Sequence, residues 1–196
     1  MGVLLAVLAP LDWLNSHLLR IGRWIGIAAV ALMVVAILIQ VVFRYVFNNA
    51  LPWPDEAARF CMLWMTGLMA PTAFRRGGFV AIDMLTYALP RLVGNLLSLL
   101  LLLISLAVLI VAVQIGFAEV TGFGGRFATA SLYVPGNLML TEWIRVPRSW
   151  MMTSLLVGVG LLILVNAELI LRNLIDTLGG AERLPVIADT DMAGAD

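Results

Sequence analysis

The sequence predicts an all-α integral membrane protein with four transmembrane helices plus short interfacial helices. Three observations carry this. The 196 residues are 62% hydrophobic and 12% charged, where soluble domains average about 25% charged. The mean hydropathy is +1.03. The charges do not scatter. They gather at the ends of long runs that carry none, in the pattern of helices that cross a bilayer.

The first such run is 25–43, 19 residues between Arg20, Arg23 and Trp24 at its entry and Arg44 and Tyr45 at its exit. That length spans a hydrocarbon core. Gly22 and Gly26 form a small-xxx-small pair ahead of Ala28 and Ala29, which allows close helix approach. Residues 1–11 are apolar, and no Arg or Lys precedes them, so a cleaved signal peptide is not expected. Asp12, Asn15, His17 and Arg20 then alternate with Leu and Trp. This mixture suits either a helix lying on the membrane surface or a plain extension of the first span.

The second span is shorter. Its charge-free part, 60–74, has 15 residues and must borrow the Arg59 turn, with Arg59 snorkelling towards the interface. Pro71 is expected to bend or end it, and Arg75-Arg76-Gly77-Gly78 to stop it in a basic surface turn. Residues 79–90 are mixed, too short to span but apolar enough to lie on the membrane, and read as an interfacial helix or turn ended by Pro90. The third run, 92–118, is the strongest, with 27 residues free of charge. Residues 119–148 carry several Gly and Pro and are too broken for a straight span. The fourth run is 149–167, with Trp150 at its start and Glu168 and Arg172 at its end. Together these define one transmembrane domain, 1–178, with spans near 22–47, 56–75, 92–118 and 148–171. A polar, acidic tail at 179–196 is expected to be disordered and cytoplasmic.

Four spans place both termini on one side. Seven Arg fall on that side (Arg20, Arg23, Arg75, Arg76, Arg91, Arg172, Arg183) and five on the other (Arg44, Arg59, Arg126, Arg145, Arg148). The excess favours cytoplasmic termini.

The stretch between the first two spans, 44–59, holds the densest charge near any membrane boundary. Pro52 and Pro54 cannot sit inside a continuing helix. Asp55 and Glu56 follow in the first turn of the second span, where the helix dipole favours carboxylates. Arg59 is placed to pair with either acid at i,i+4 or i,i+3. A tight hairpin would also bring Arg44 towards Asp55 or Glu56, making a charged clasp.

Several chemistries are excluded. Net charge is zero, so no basic field for nucleic acid exists. The lone Cys61 forbids an intrachain disulfide or a cysteine metal site and reads as a small buried packing residue. His17 has no second His as a ligand partner. No Walker loop, CxxC or Ser/His/Asp set occurs, so no enzyme, cofactor or metal site is expected. Mid-span ionisable groups are nearly absent, and the halves do not repeat as transporter cores do. The residues describe a helical membrane subunit that supports another protein. An independent homo-oligomeric channel or exporter is the alternative. A redox-complex anchor comes last, because it would need paired axial ligands within the spans.

The clasp and its sequel resemble the small membrane (Q) subunit of tripartite ATP-independent periplasmic (TRAP) transporters, the DctQ-like family. The matching motifs are Phe43-Arg44-Tyr45-Val46-Phe47-Asn48, Leu51-Pro52-Trp53-Pro54-Asp55-Glu56-Ala57-Ala58-Arg59, Trp64, and Arg75-Arg76-Gly77-Gly78-Phe79-Val80-Ala81-Ile82-Asp83. Looser matches are Ser131-Leu132-Tyr133-Val134-Pro135 and Val146-Pro147. Phe79 stands where the family often has His, and the interval from Pro135 to Pro147 is longer than usual. The resemblance implies an accessory subunit in the bacterial inner membrane. It would bind a large permease subunit that carries an organic acid and a coupling ion, sodium where used. A periplasmic binding protein would deliver the substrate, and membrane lipids would surround the complex. Arg44, Trp53, Asp55, Glu56, Arg59, Arg75, Arg76 and Asp83 are the residues expected to form the clasp and partner interface.

Overall fold

A computed structural model describes residues 2–76, 90–135 and 143–180. It contains helices α1 (Gly2–Tyr45), α2 (Trp53–Arg75), α3 (Arg91–Thr121) and α4 (Ser149–Thr177). A 3-10 turn (Phe123–Arg126) and two strands, β1 (Ala128–Pro135) and β2 (Trp143–Pro147), join α3 to α4. The strands correct the all-α expectation: among the described residues of 119–148 they pair as a small antiparallel hairpin. Residues 79–89 of the expected interfacial helix or turn and the tail from 181 lie outside the described residues; Pro90 precedes α3 as its N-cap.

The helices α1, α3 and α4 are each long and apolar enough to cross a membrane. The helix α2 is long enough, at 23 residues, but Arg59, Trp64, Thr66, Gly67, Pro71 and Thr72 dilute its apolar run.

The helix α1 is continuous for 44 residues and holds Pro10 inside it. The N-terminal segment is therefore an extension of the first span. At 1.5 Å per residue its length is ~66 Å, about twice a hydrocarbon core. Its buried positions are Leu8, Asn15, Leu19, Gly22, Gly26, Ala29 and Ala36. Five of them, at 8, 15, 22, 29 and 36, recur every seventh residue, the seam of a left-handed supercoil. The small residues of that seam face α2. A Cβ on Gly22 would meet the Leu68 carbonyl oxygen at 3.4 Å, and one on Gly26 would meet Met69 Cγ at 3.0 Å.

The helix α1 packs on α2 and also touches α4; α2 packs on α4, and α3 packs on α4. The parallel pair α2 and α4 therefore forms the centre, with α1 and α3 outside. Their crossing is at backbone contact: a Cβ on Gly67 would lie 2.5 Å from the Ser154 carbonyl oxygen, and one on Gly158 would lie 2.7 Å from that of Gly67. Only glycine fits there. The helix α2 also runs through the buried Pro71 to Arg75 instead of ending at it.

Between α1 and α2 the chain turns through Asn48, whose φ of 49° is left-handed, a conformation Asn tolerates better than most residues. In the hairpin, Tyr133, Val134 and Pro135 pair with Arg145, Ile144 and Trp143, and Ala128 pairs with Pro147. Between those pairings β1 advances five residues, 128 to 133, while β2 advances two, 147 to 145. The surplus bulges out of β1. That bulge is what the hairpin turns towards α2.

Candidate functional site

Two polar clusters sit at opposite ends of the bundle. The first lies where α1 begins and α2 and α4 end. Arg75 Nη2 donates to Asp12 Oδ1 at 2.6 Å and to Glu168 Oε1 at 2.8 Å. Its Nε reaches Glu168 Oε1 at 3.2 Å and its Nη1 donates to Ser16 Oγ at 2.9 Å. Arg172, one turn beyond Glu168 on α4, donates Nε to Glu168 Oε1 at 2.8 Å and Nη2 to Asp12 Oδ1 at 2.6 Å. Asn15 Nδ2 donates to the remaining Glu168 oxygen at 2.7 Å and to the Leu164 carbonyl at 3.2 Å.

Two guanidinium groups thus face two carboxylates, and the set is formally neutral. Glu168 is fully buried and Arg75 nearly so. Burying ions is costly unless their lone pairs and protons are all used, and here both Glu168 oxygens and all three Arg75 nitrogens have partners. Arg75 lies 22 residues along α2 from Trp53, or ~33 Å of helix. That distance is close to the thickness of a hydrocarbon core.

This placement corrects the reading of Arg75 as part of a basic surface turn and of Glu168 and Arg172 as charges at the end of a span. Arg76 caps α2, its backbone N–H donating to the Thr72 carbonyl at 3.3 Å, and its side chain is exposed. Asp83 lies outside the described residues. On the flank of this end, Asn95 of α3 donates to Asp176 of α4 at 2.8 Å.

The second cluster lies where α2 begins. Glu56 does not pair with Arg44. Its carboxylate accepts from the β1 bulge instead: Ala130 N–H at 2.9 Å, Ser131 N–H at 2.6 Å and Ser131 Oγ at 2.6 Å. The bulge frees these N–H groups from the ladder, so the acid supplies the acceptor that β2 does not. Asp55 accepts a long bond from Gln40 of α1 at 3.4 Å. Gln40 continues the α1 seam, so this bond ties its far end. Arg44 is exposed at the last turn of α1. Among the described residues neither Arg44 nor Arg59 forms an ion pair with Asp55 or Glu56. The expected clasp is thus replaced by a latch between α2 and the hairpin. The reason is geometric: backbone donors from 130 and 131 reach Glu56, and no sequence-local cue announces them.

A cleft of about 620 Å³ opens beside the latch, lined by Trp53, Asp55, Glu56 and Arg59 of α2 and by Ser131 and Tyr133 of β1. Outside the lining, Arg145 holds Tyr133: its Nε donates to the Tyr133 hydroxyl at 2.9 Å and its guanidinium stands 5.4 Å from the Tyr133 ring. Four of the expected clasp residues therefore share one cleft, while Arg44 lies outside it and Arg75 and Arg76 belong to the opposite end.

Among the described residues no group of His, Cys, Asp and Glu is arranged to hold a metal. His17 is exposed, stacks near Trp13 and bonds to the Trp13 carbonyl at 3.0 Å. Cys61 is a free, half-buried thiol.

The family model for the DctQ component of tripartite ATP-independent periplasmic transporters matches residues 33–176. A Haemophilus influenzae protein, provisionally named a TRAP transporter small permease protein, is 33% identical over 64 residues. That stretch is 33% of this chain and 40% of the relative, so less than half of the relative's length is matched.

Proposed function

The chain belongs to the DctQ component family of tripartite ATP-independent periplasmic transporters, a transport component and not an enzyme, and we propose that it serves as the small permease subunit of such a system. In this reading it crosses the bacterial inner membrane four times with both termini in the cytoplasm. It binds and stabilises a large permease subunit. That partner carries an organic acid with a coupling ion, sodium, after a periplasmic binding protein delivers the substrate.

The observation that carries the proposal is the reach of the family match. It extends from mid-α1 to the end of α4, so it takes in both the latch and most of the charged cluster. The structure is consistent with a scaffold. Its buried Arg75, Glu168 and Arg172 tie helices together at one end, Glu56 ties the hairpin at the other, and the α2–α4 crossing between them is closed by glycine contact. Long faces of α1 and α3 carry exposed Leu, Ile and Val, a surface for lipid or a larger membrane partner.

Reconstitution tests this directly. Liposomes holding this chain, the large permease and the binding protein should take up solute down a sodium gradient. Those lacking this chain should not. Flux through this chain alone would instead favour an independent channel.

A further inference from the structure

We infer that the cleft between α2 and the hairpin is a lipid headgroup site, specific for a zwitterionic phosphoethanolamine headgroup. The first support is its level. Tyr45 closes α1, Trp53 opens α2, Trp143 lies on β2 and Trp150 opens α4, and all four are exposed. Exposed Trp and Tyr at the ends of apolar helices mark the headgroup layer, where an apolar ring and a polar edge are both accommodated. The cleft lies at that layer, and Trp53 and Tyr133 are part of its wall.

The second support is charge. Arg59 lines the cleft, is exposed, and has no ion pair among the described residues although two acids precede it by one turn. A guanidinium in that position matches a phosphodiester with paired N–H donors. Asp55 lines the same cleft and, among the described residues, accepts only the 3.4 Å bond from Gln40, which leaves its second oxygen open for an ammonium. Glu56 already accepts three donors from the hairpin, so Asp55 is the more open of the two acids. The cleft therefore offers one cation and one open anion about one helical turn apart. That matches the phosphate and ammonium of phosphoethanolamine. A phosphoglycerol headgroup would satisfy Arg59 but present no cation to Asp55 while meeting the negative charge of Glu56.

Native mass spectrometry of the full-length chain in mild detergent tests this, using phosphatidylethanolamine and phosphatidylglycerol with identical acyl chains. The wild-type chain should retain phosphatidylethanolamine in preference. Arg59→Gln should lower its retention about tenfold, the scale of one lost charged hydrogen bond, and Arg59→Lys should recover part of it. Asp55→Asn should abolish the preference between the two lipids while leaving phosphatidylglycerol retention no weaker. Water-soluble O-phosphoethanolamine in millimolar excess should fail to displace the lipid. Equal retention of both lipids by the wild-type chain would overturn the proposal. So would unchanged retention in Arg59→Gln. Displacement by O-phosphoethanolamine would show a site for a soluble ligand and overturn it too.

Discussion

Arg75 and Glu168, 93 residues apart in sequence, meet at 2.8 Å in the buried end of the bundle. The contact joins the last turn of α2 to α4, and through Asp12 and Asn15 it also holds α1. Three helices are thus fixed at one end by two guanidinium groups and two carboxylates. Removing one partner leaves the others buried with unbalanced charge. Glu168→Gln should therefore destabilise the protein by about 3–5 kcal/mol, the usual cost of breaking a buried pair. Replacing Arg75, Arg172, Asp12 and Glu168 together with apolar residues of similar volume should cost much less. Thermal unfolding in detergent, followed by circular dichroism, compares the two variants. Equal losses would mean that the charges act separately.

Gly67 and Gly158 make a second, independent constraint. A methyl at either would press on the backbone of the opposing helix, which cannot move aside as a side chain can. Gly67→Ala and Gly158→Ala should each cost about 1–3 kcal/mol, the range for overpacking. Gly160→Ala is the control, because a Cβ there meets nothing within 4 Å. The same melting measurement should leave that variant unchanged or slightly more stable, since Ala favours a helix.

Glu56 and Ser131 latch the hairpin to α2. Glu56→Ala removes the acceptor for two backbone N–H groups and should speed amide exchange at Ala130 and Ser131, while α3 and α4 exchange as before. Arg44→Gln should leave those amides unchanged, because Arg44 has no part in the latch. Hydrogen–deuterium exchange read by mass spectrometry separates the two variants. Faster exchange at 130–131 in Arg44→Gln would restore the clasp that the structure replaces.

The helical spans were legible because hydropathy acts along the chain. The runs 25–43, 92–118 and 149–167 lie within α1, α3 and α4. Gly22 and Gly26 were legible for a similar reason, since four-residue spacing alone puts them on one face. What escaped depends on long-range pairing. Asp12, Asn15 and Ser16 share one face of α1 by their spacing, and Glu168 and Arg172 are an i,i+4 pair. By sequence the first group belongs to a surface helix or an extension of the first span and the second to the end of the fourth, and only the packing of three helices brings them face to face. The hairpin escaped because the Gly and Pro residues of 119–148 signal turns without naming the partner of Glu56. Gly67 sits alone in its helix run, and Gly158 has its neighbour Gly160 at a two-residue spacing that shares no helix face.

Topology has its own check. A Cys61→Ser background carrying Ala50→Cys or Gly77→Cys should be labelled at 50 by a membrane-impermeant thiol reagent added to intact cells. Position 77 should react only after the inner membrane is opened. The opposite pattern would place both termini in the periplasm, and labelling of both positions in intact cells would remove α2 as a span.

The most direct measurement is purification of a tagged, full-length copy in mild detergent from cells that also make its transport system. If this member of the DctQ family has the proposed accessory role, it should emerge bound at one-to-one stoichiometry to a larger multi-span membrane protein. The complex should survive Arg44→Gln and weaken in Glu168→Gln, whose helices lose their common anchor. A chain that purifies alone, self-assembles, and moves solute in liposomes without a partner would contradict the accessory role.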